Sequence, residues 1–391
     1  MKILLDATGS CRPAFQTGIQ RVVRNLFREL EAKAEVKAIF WSSRSASYRL
    51  MDDKRQRYLR DPFAPSPTTQ TQRIFRKVID FFGLPQERAL NPIYLTEARC
   101  DVFLEPEIYS DERFIYLCNS AKRMKCPKVA LFYDAITWLH PEWSSSDRQK
   151  QFGEYLRSLV HFSKVICISE QSSADLKKFW SDHNISGRAE ILVEPLPANG
   201  IPVLSKSLKP PIRPQILCVG TLEPRKNHMT LLAAMEKLWE KGRPFDHVKL
   251  VLIGRSVSWA KPNPVQAIKT LQQKGHPIEW LGTVDEARLA ERYHACHFTV
   301  FPSLMEGYGL PIVESLLYGK PVICGADGAI GELSKGGGCL TTNCSDPTTL
   351  AEAIQRLLQD NNLHTDLAQQ ACSRSFRTWE DYSSAIFSHL G

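Results

Sequence analysis

Two rhythms of apolar and polar residues take turns along this chain. Short, dense apolar runs read as buried strands: MKILLDAT, VFLE, KVALFYD, KVICIS and AEILVEP, then QILCVG, VKLVLIG, EWLG, HFTVFPS and PVICG. Between them lie segments with helical periodicity. In TGIQRVVRNLFREL, Ile19, Val22, Val23, Leu26, Phe27 and Leu30 fall on one face. The segment after KVICIS predicts a helix capped by Ser172 or Ser173, with Leu176 and Phe179 turned inward. Strands that alternate with helices predict α/β architecture with largely parallel sheets. At 391 residues the chain has room for two domains, each with its own core. The proline-rich stretch NGIPVLSKSLKPPIRP has no period and reads as a linker near residues 200–213. The expected domains are 1–205 and 206–375.

The segment FPSLMEGYGLPIVESLLYGKPVICG, residues 301–325, carries the most chemistry. It reads as strand, glycine-rich turn and short helix, then strand. Pro311 suits the start of the helix, Gly319 the position past its end, and Pro321 blocks continuation. Glycines at a strand-to-helix turn let backbone N–H groups approach an anion, and the helix N-terminus adds partial positive charge. A diphosphate fits such a turn. Glu314 is expected in the first helical turn, where a carboxylate can accept two hydrogen bonds from a ribose diol. Spacing alone serves equally well for a helix-dipole partner at Glu314 and a solvated loop charge at Glu306.

The ordered string EGYGLPIVE, with Glu306 and Glu314 eight positions apart, closely resembles the E-x7-E motif of family 4 retaining glycosyltransferases. GTLEPRKN resembles that family's second signature, placing Arg225 and Lys226 after a strand ending at Gly220, with a helix starting near Asn227 as N-cap. Cations there can neutralise a departing diphosphate. WLGTVDEARLAERYHACHFTVFPS resembles the intervening stretch, in which backbone around Leu281–Gly282 contacts the base. FYDAITWLHPEW resembles the corresponding stretch of bacterial mannosyltransferases; Asp134 matches their Asp, but Tyr133 replaces the usual His, and His140 reads as structural. A strand-end Asp can bind a sugar hydroxyl or the acceptor, or simply form a turn. VICISEQSSADL places Ser169 and Glu170 along the cleft, and Gly18 matches the glycine that approaches the donor phosphates.

The resemblance implies a GT-B fold, with two Rossmann-like domains facing across a cleft and a helix at about 376–391 crossing back to the first. It also implies retaining hexosyl transfer from a nucleotide sugar, GDP-mannose by preference, onto a glycan or lipid-linked glycan in surface polysaccharide or lipopolysaccharide synthesis. The implied catalytic set is Glu306, Asp134, Arg225 and Lys226. The donor set is Gly18, Gly220, Thr221, Arg225, Lys226, Leu281, Gly282, Glu306, Gly307, Tyr308, Gly309, Leu310 and Glu314. No metal and no cofactor beyond the nucleotide-sugar co-substrate is expected, as the chain lacks a D-x-D motif. UDP- and dTDP-sugars stay open as donors. So does a nucleotide-sugar 2-epimerase, which needs no acceptor. A non-catalytic binding subunit fits an intact acidic and basic set less well, and an oxidoreductase lacks its G-x-G-x-x-G after the first strand.

Composition narrows this further. With 43% hydrophobic and 24% charged residues the chain is of soluble globular type, and no apolar run is long enough to span a membrane. The N-terminus turns polar too early for a secretory signal, and eleven cysteines without a C-x-x-C pair read as reduced thiols, so a cytoplasmic location is expected. The net charge of +8 is concentrated in the first half. It suits a phosphate-bearing partner or peripheral contact with the inner membrane face, and no nucleic-acid motif accompanies it. In RIFRKVIDFFGL, Ile74, Phe75, Val78, Ile79, Phe81 and Phe82 can line a basic helix that docks on the sheet or lies at a membrane surface.

Overall fold

The computed structural model describes residues 1–12, 17–61, 92–96, 98–109, 111–121, 123–144, 146–187, 189–198 and 214–391. The linker at 200–213 and the amphipathic stretch at 73–84 lie outside the described residues.

Among the described residues two sheets form. The first holds β1 (Lys2–Asp6), β2 (Glu35–Ser42), β3 (Ser47–Leu50), β4 (Pro92–Ile93), β5 (Val102–Glu105), β6 (Lys128–Phe132), β7 (Lys164–Cys167) and β8 (Glu190–Val193), in the order β4-β3-β2-β1-β5-β6-β7-β8. Only the β2–β3 and β3–β4 pairings are antiparallel. The second holds β9 (Gln215–Val219), β10 (Lys249–Ile253), β11 (Ile278–Trp280), β12 (Phe298–Phe301), β13 (Val322–Cys324) and β14 (Cys339–Thr341). It is parallel throughout, in the order β11-β10-β9-β12-β13-β14. The central strands are buried on both faces, which is why they read as continuous apolar runs.

Strand order decides where chemistry can sit. In each sheet the chain builds outward from a first strand on one side, then returns to build on the other. The reversal falls between β1 and β5 in the first sheet and between β9 and β12 in the second. Loops leaving the carboxyl ends of such neighbours diverge to opposite faces and leave a crevice. In the second sheet those loops are 220–227 and 302–309.

Local signals explain the helices that flank the crevices. The Gly18–Glu31 helix starts at a capping box in which Thr17 and Gln20 bond reciprocally, and it buries Val22, Val23, Leu26, Phe27 and Leu30. The helix at Glu170–Asp182 is capped by Ser169 rather than by the Ser172 or Ser173 that periodicity suggested. Ser172 is its capping-box partner three residues on. Asn227 flanks the start of the His228–Glu240 helix with a left-handed φ of 53°, but its side chain does not cap. It donates to the Cys344 carbonyl at 2.6 Å and accepts from Thr230. Among the described residues no helix is long and apolar enough to cross a membrane.

The last helix, Trp379–Leu390, lies against the Gly18–Glu31 helix of the first sheet's layer. Trp379, Tyr382, Ile386 and Leu390 join Val22, Val23 and Leu26 in one core. Lys164 Nζ donates to the His389 carbonyl at 2.8 Å, and Glu194 pairs with both Arg377 (2.5 Å) and His389 (2.9 Å). Ile386→Ala should therefore lower the unfolding free energy by about 2–4 kcal/mol, the range for emptying a buried aliphatic site. Urea titration would check it, and a loss below about 1 kcal/mol would mean that this helix is not part of the core.

Candidate active site

Strands β9 and β12 are hydrogen-bonded neighbours, with Ile216 opposite Phe298 and Leu217 opposite Thr299. This pairing brings residues about eighty positions apart into one crevice. After β9 the chain makes a tight turn at Pro224–Lys226 before the His228–Glu240 helix. After β12 it runs through Met305–Gly309 to the Leu310–Leu317 helix. Arg225 Nη1 donates to Glu306 Oε2 at 2.7 Å, and Lys226 Nζ donates to Glu306 Oε1 at 2.5 Å. The aliphatic stem of Lys226 lies along Gly220, and its ammonium sits 5.1 Å over the Phe301 ring. Glu223, which sequence reasoning did not single out, pairs with Arg225 Nε at 2.7 Å.

Burial alone would raise the Glu306 carboxyl, but Arg225 and Lys226 outweigh it and hold its pKa at about 2. Burial pulls the Lys226 ammonium down, with Glu306 opposing, and the balance leaves it below its ordinary value. The site is thus two cations locked onto one carboxylate at the carboxyl edge of the second sheet.

The first domain closes over this edge. Ser169 Oγ donates to the Gly307 carbonyl at 2.7 Å. The Glu332 carboxylate accepts from the backbone N–H groups of Glu170 (3.1 Å) and Gln171 (2.7 Å), at the start of a first-domain helix. Gly307 packs on β6's exit loop so closely that a Cβ there would lie 2.3 Å from the Tyr133 carbonyl oxygen. Asp134 adjoins it. Burial raises the Asp134 carboxyl, Arg225 lowers it and Glu306 raises it, so Asp134 faces the same charged group. Its Oδ1 also accepts from Ile136 N at 3.0 Å, forming the turn into the next short helix. Tyr133, standing where the family resemblance led us to expect His, donates to the Pro106 carbonyl at 2.7 Å and is buried. His140 stacks on Trp143 and bonds Glu142.

Other expected residues are distributed unevenly. Gly18 faces Leu310 across the cleft, with 3.6 Å between a Cβ there and Leu310 Cδ1. Gly309 takes a φ of 124°, which requires glycine, and immediately precedes the Leu310–Leu317 helix. Tyr308 is buried, and its hydroxyl donates to the Leu196 carbonyl at 2.7 Å. Thr221 stands at the head of the 220–227 loop, its carbonyl accepting from Glu223 N at 2.8 Å. Leu281 and Gly282 follow edge strand β11, where the Gly282 carbonyl accepts from Gly254 N. Glu314 is the fifth residue of its helix and not in the first turn; one further step along the helix carries its carboxylate toward the first domain. Arg21 and Tyr293 hold it there, one on each oxygen.

Comparison with known proteins agrees with this geometry. The family described as "Glycosyl transferases group 1" matches residues 203–374, which include both crevice loops. That region is thus similar to a group 1 glycosyltransferase domain. It is 25% identical over 341 residues to "Serotype-specific mannosyltransferase WbdA" of Escherichia coli, covering 82% of this chain and 38% of that protein. To "O-antigen chain mannosyltransferase B" of the same species it is 28% identical over 241 residues, or 60% of this chain and 62% of the other. The chain thus spans well under half the length of its WbdA relatives. Among solved structures, Anabaena Alr3699/HepE in complex with UDP and glucose covers 100% of this chain and 99% of its own, with a TM-score of 0.67 at 17% identity. Sucrose-phosphate synthase from Thermosynechococcus elongatus also has a TM-score of 0.67, at 18% identity. These likenesses show the fold, which is GT-B.

Within the matched region, Arg225, Lys226 and Glu306 were legible as a motif. Arg21, Tyr293 and Glu332 were not, because each acts through a partner distant in sequence; Glu223 lies inside the GTLEPRKN motif, two residues from its partner Arg225, and was overlooked there. Gly307→Ala places a methyl against the Tyr133 carbonyl and should hold the two sheets apart. Small-angle scattering should then report a larger radius of gyration than for the wild type; an unchanged radius would show that Gly307 does not set the closed separation.

Proposed function

We propose that this protein is a retaining, metal-independent glycosyltransferase that moves a hexose from a nucleoside diphosphate sugar to a glycan or lipid-linked glycan acceptor. One observation carries the reading: Arg225 and Lys226 converge on Glu306 at the reversal point of the second sheet, with Asp134 facing them from the first domain. A diphosphate brought to that crevice meets two cations with N–H donors to spare. Glu306 takes one of the three on Lys226; on Arg225, Nη1 serves Glu306 and the Met305 carbonyl and Nε serves Glu223, which leaves Nη2 for the ligand. The cations stabilise the charge that builds on the leaving phosphate, as a divalent ion does elsewhere.

Glu306 remains ionised beside the sugar, suited to steadying an oxocarbenium-like centre. The leaving phosphate takes the acceptor's proton from the same face, so that configuration is retained. Asp134 is assigned to a sugar or acceptor hydroxyl and Glu314 to the ribose diol. Closure of the first domain excludes water, which would otherwise compete with the acceptor. GDP-mannose is the preferred donor, on the strength of the two relatives described as mannosyltransferases. The name of the second also favours an O-antigen type of polysaccharide. UDP-sugars are the second choice, because the Anabaena structure holds UDP-glucose.

A thermal-shift screen of GDP-, UDP- and dTDP-sugars tests the donor, since a ligand of the folded state raises the melting temperature. GDP-mannose is expected to give the largest shift. Lys226→Ala and Glu306→Ala should each reduce transfer, assayed in EDTA, by at least roughly 100-fold. Near-wild-type rates in both variants, or a wild-type rate abolished by EDTA and restored by Mg2+, would contradict the mechanism.

A further inference from the structure

One contact at the cleft is not used by the mechanism above. Arg21, on the first-domain helix Gly18–Glu31, donates through Nη1 to Oε1 of Glu314 on the second-domain helix Leu310–Leu317. Both side chains are largely buried, at 17% and 5% exposure. Tyr293, on the second-domain helix Glu286–Ala295, donates to the other oxygen at 2.8 Å. The two oxygens of Glu314 therefore answer to different domains. The same first-domain helix touches the same second-domain helix a second time, where Gly18 meets Leu310. Burial lowers the Arg21 guanidinium and Glu314 raises it; attraction wins, and the guanidinium stands above its ordinary value.

A carboxylate offers about four lone-pair sites, and Arg21 and Tyr293 together occupy two. Two remain for a diol. The pair exists only while the domains are together, because its partners lie on opposite sides of the cleft. Opening would return Arg21 to solvent and leave Glu314 held by Tyr293 at one oxygen only, with the other oxygen able to swing about that bond. A ligand that needs Glu314 in one orientation then binds the closed form better than the open form, and by linkage favours closure by the same factor.

We infer that Arg21 is a positioning residue that sets Glu314 for the donor's ribose and thereby couples donor binding to domain closure. It rests on the ribose assignment of Glu314. Arg21 touches neither the diphosphate cations nor Glu306; it acts through Glu314. Tyr293 holds the carboxylate from its own domain in either state, so the state-dependent part belongs to Arg21.

The test uses calorimetric binding of GDP, UDP and their 2′,3′-dideoxy counterparts to the full chain. The wild type should bind the better ribonucleotide at least about tenfold more tightly than its dideoxy form, within the range of two good hydrogen bonds. Arg21→Ala should weaken the ribonucleotide by roughly tenfold, a typical coupling between sites, while leaving dideoxy binding almost unchanged. Discrimination therefore shrinks. Arg21→Lys should recover part of it, and it also serves if the alanine variant does not fold by circular dichroism. If the wild type ignores the missing hydroxyls, or binds neither diphosphate, the ribose reading itself fails and the inference falls with it. If the wild type discriminates but Arg21→Ala retains the same discrimination, the ribose reading stands and the Arg21 inference is overturned. A uniform weakening of both ligands would likewise overturn it, because Arg21 would then act on closure without acting through Glu314.

Discussion

Everything at the cleft depends on keeping one carboxylate ionised inside the protein. Glu306 is almost fully enclosed, and an unpaired buried charge would cost several kcal/mol. Arg225 and Lys226 offset that cost, and the same three side chains then form a charged surface for a diphosphate. Removing Glu306 leaves Lys226 buried without its carboxylate, and removing either cation leaves Glu306 with one partner instead of two. The sign of the pH dependence follows directly. The folded-state pKa lies near 2, below the ordinary 4.5, so this group stabilises the fold fully above about 4.5 and loses that contribution as pH falls toward 2. Through the neutral range Glu306 keeps its charge.

The arrangement explains why the fold is built as two facing sheets. The second sheet alone assembles the trio, since β9 and β12 are neighbours. It does not enclose it. The first domain supplies Asp134, Ser169 and the backbone against which Gly307 lies, and the helix at Trp379–Leu390 ties the end of the chain into that first layer. Three of the cross-cleft contacts land on or near the donor-side loop: Ser169 on Gly307, Arg21 on Glu314, and Gly18 beside Leu310. Closure and site completion are one event in this geometry.

Much of this was legible in the sequence. The apolar runs marked most of the central strands of both sheets, and the two motifs marked Arg225, Lys226, Glu306 and Glu314. The edge strands β4 and β14 were not marked, because each is only two or three residues long. Nor were the interior strands β2 and β3, whose EVKAIFWS and SYRL mix charged and hydroxyl residues with apolar ones. Caps were misjudged where two serines compete: Ser169 holds the cap because its backbone is extended while that of Ser172 is already helical. Glu314 was placed one turn too early, and its partners were invisible. Arg21 lies within a strongly amphipathic helix whose apolar stripe predicts the core face and says nothing of what the remaining face meets. Long-range partners of this kind come only from the tertiary arrangement.

The central claim is that Arg225 and Lys226 form a diphosphate site on Glu306. Calorimetry with a nucleoside and its diphosphate, on the wild type and on the Arg225→Ala/Lys226→Ala double variant, tests it most directly. The wild type should prefer the diphosphate by at least roughly 100-fold, in line with two charge-assisted contacts, and the double variant should bind both ligands almost equally. A double variant that keeps the full preference for the diphosphate would contradict the account.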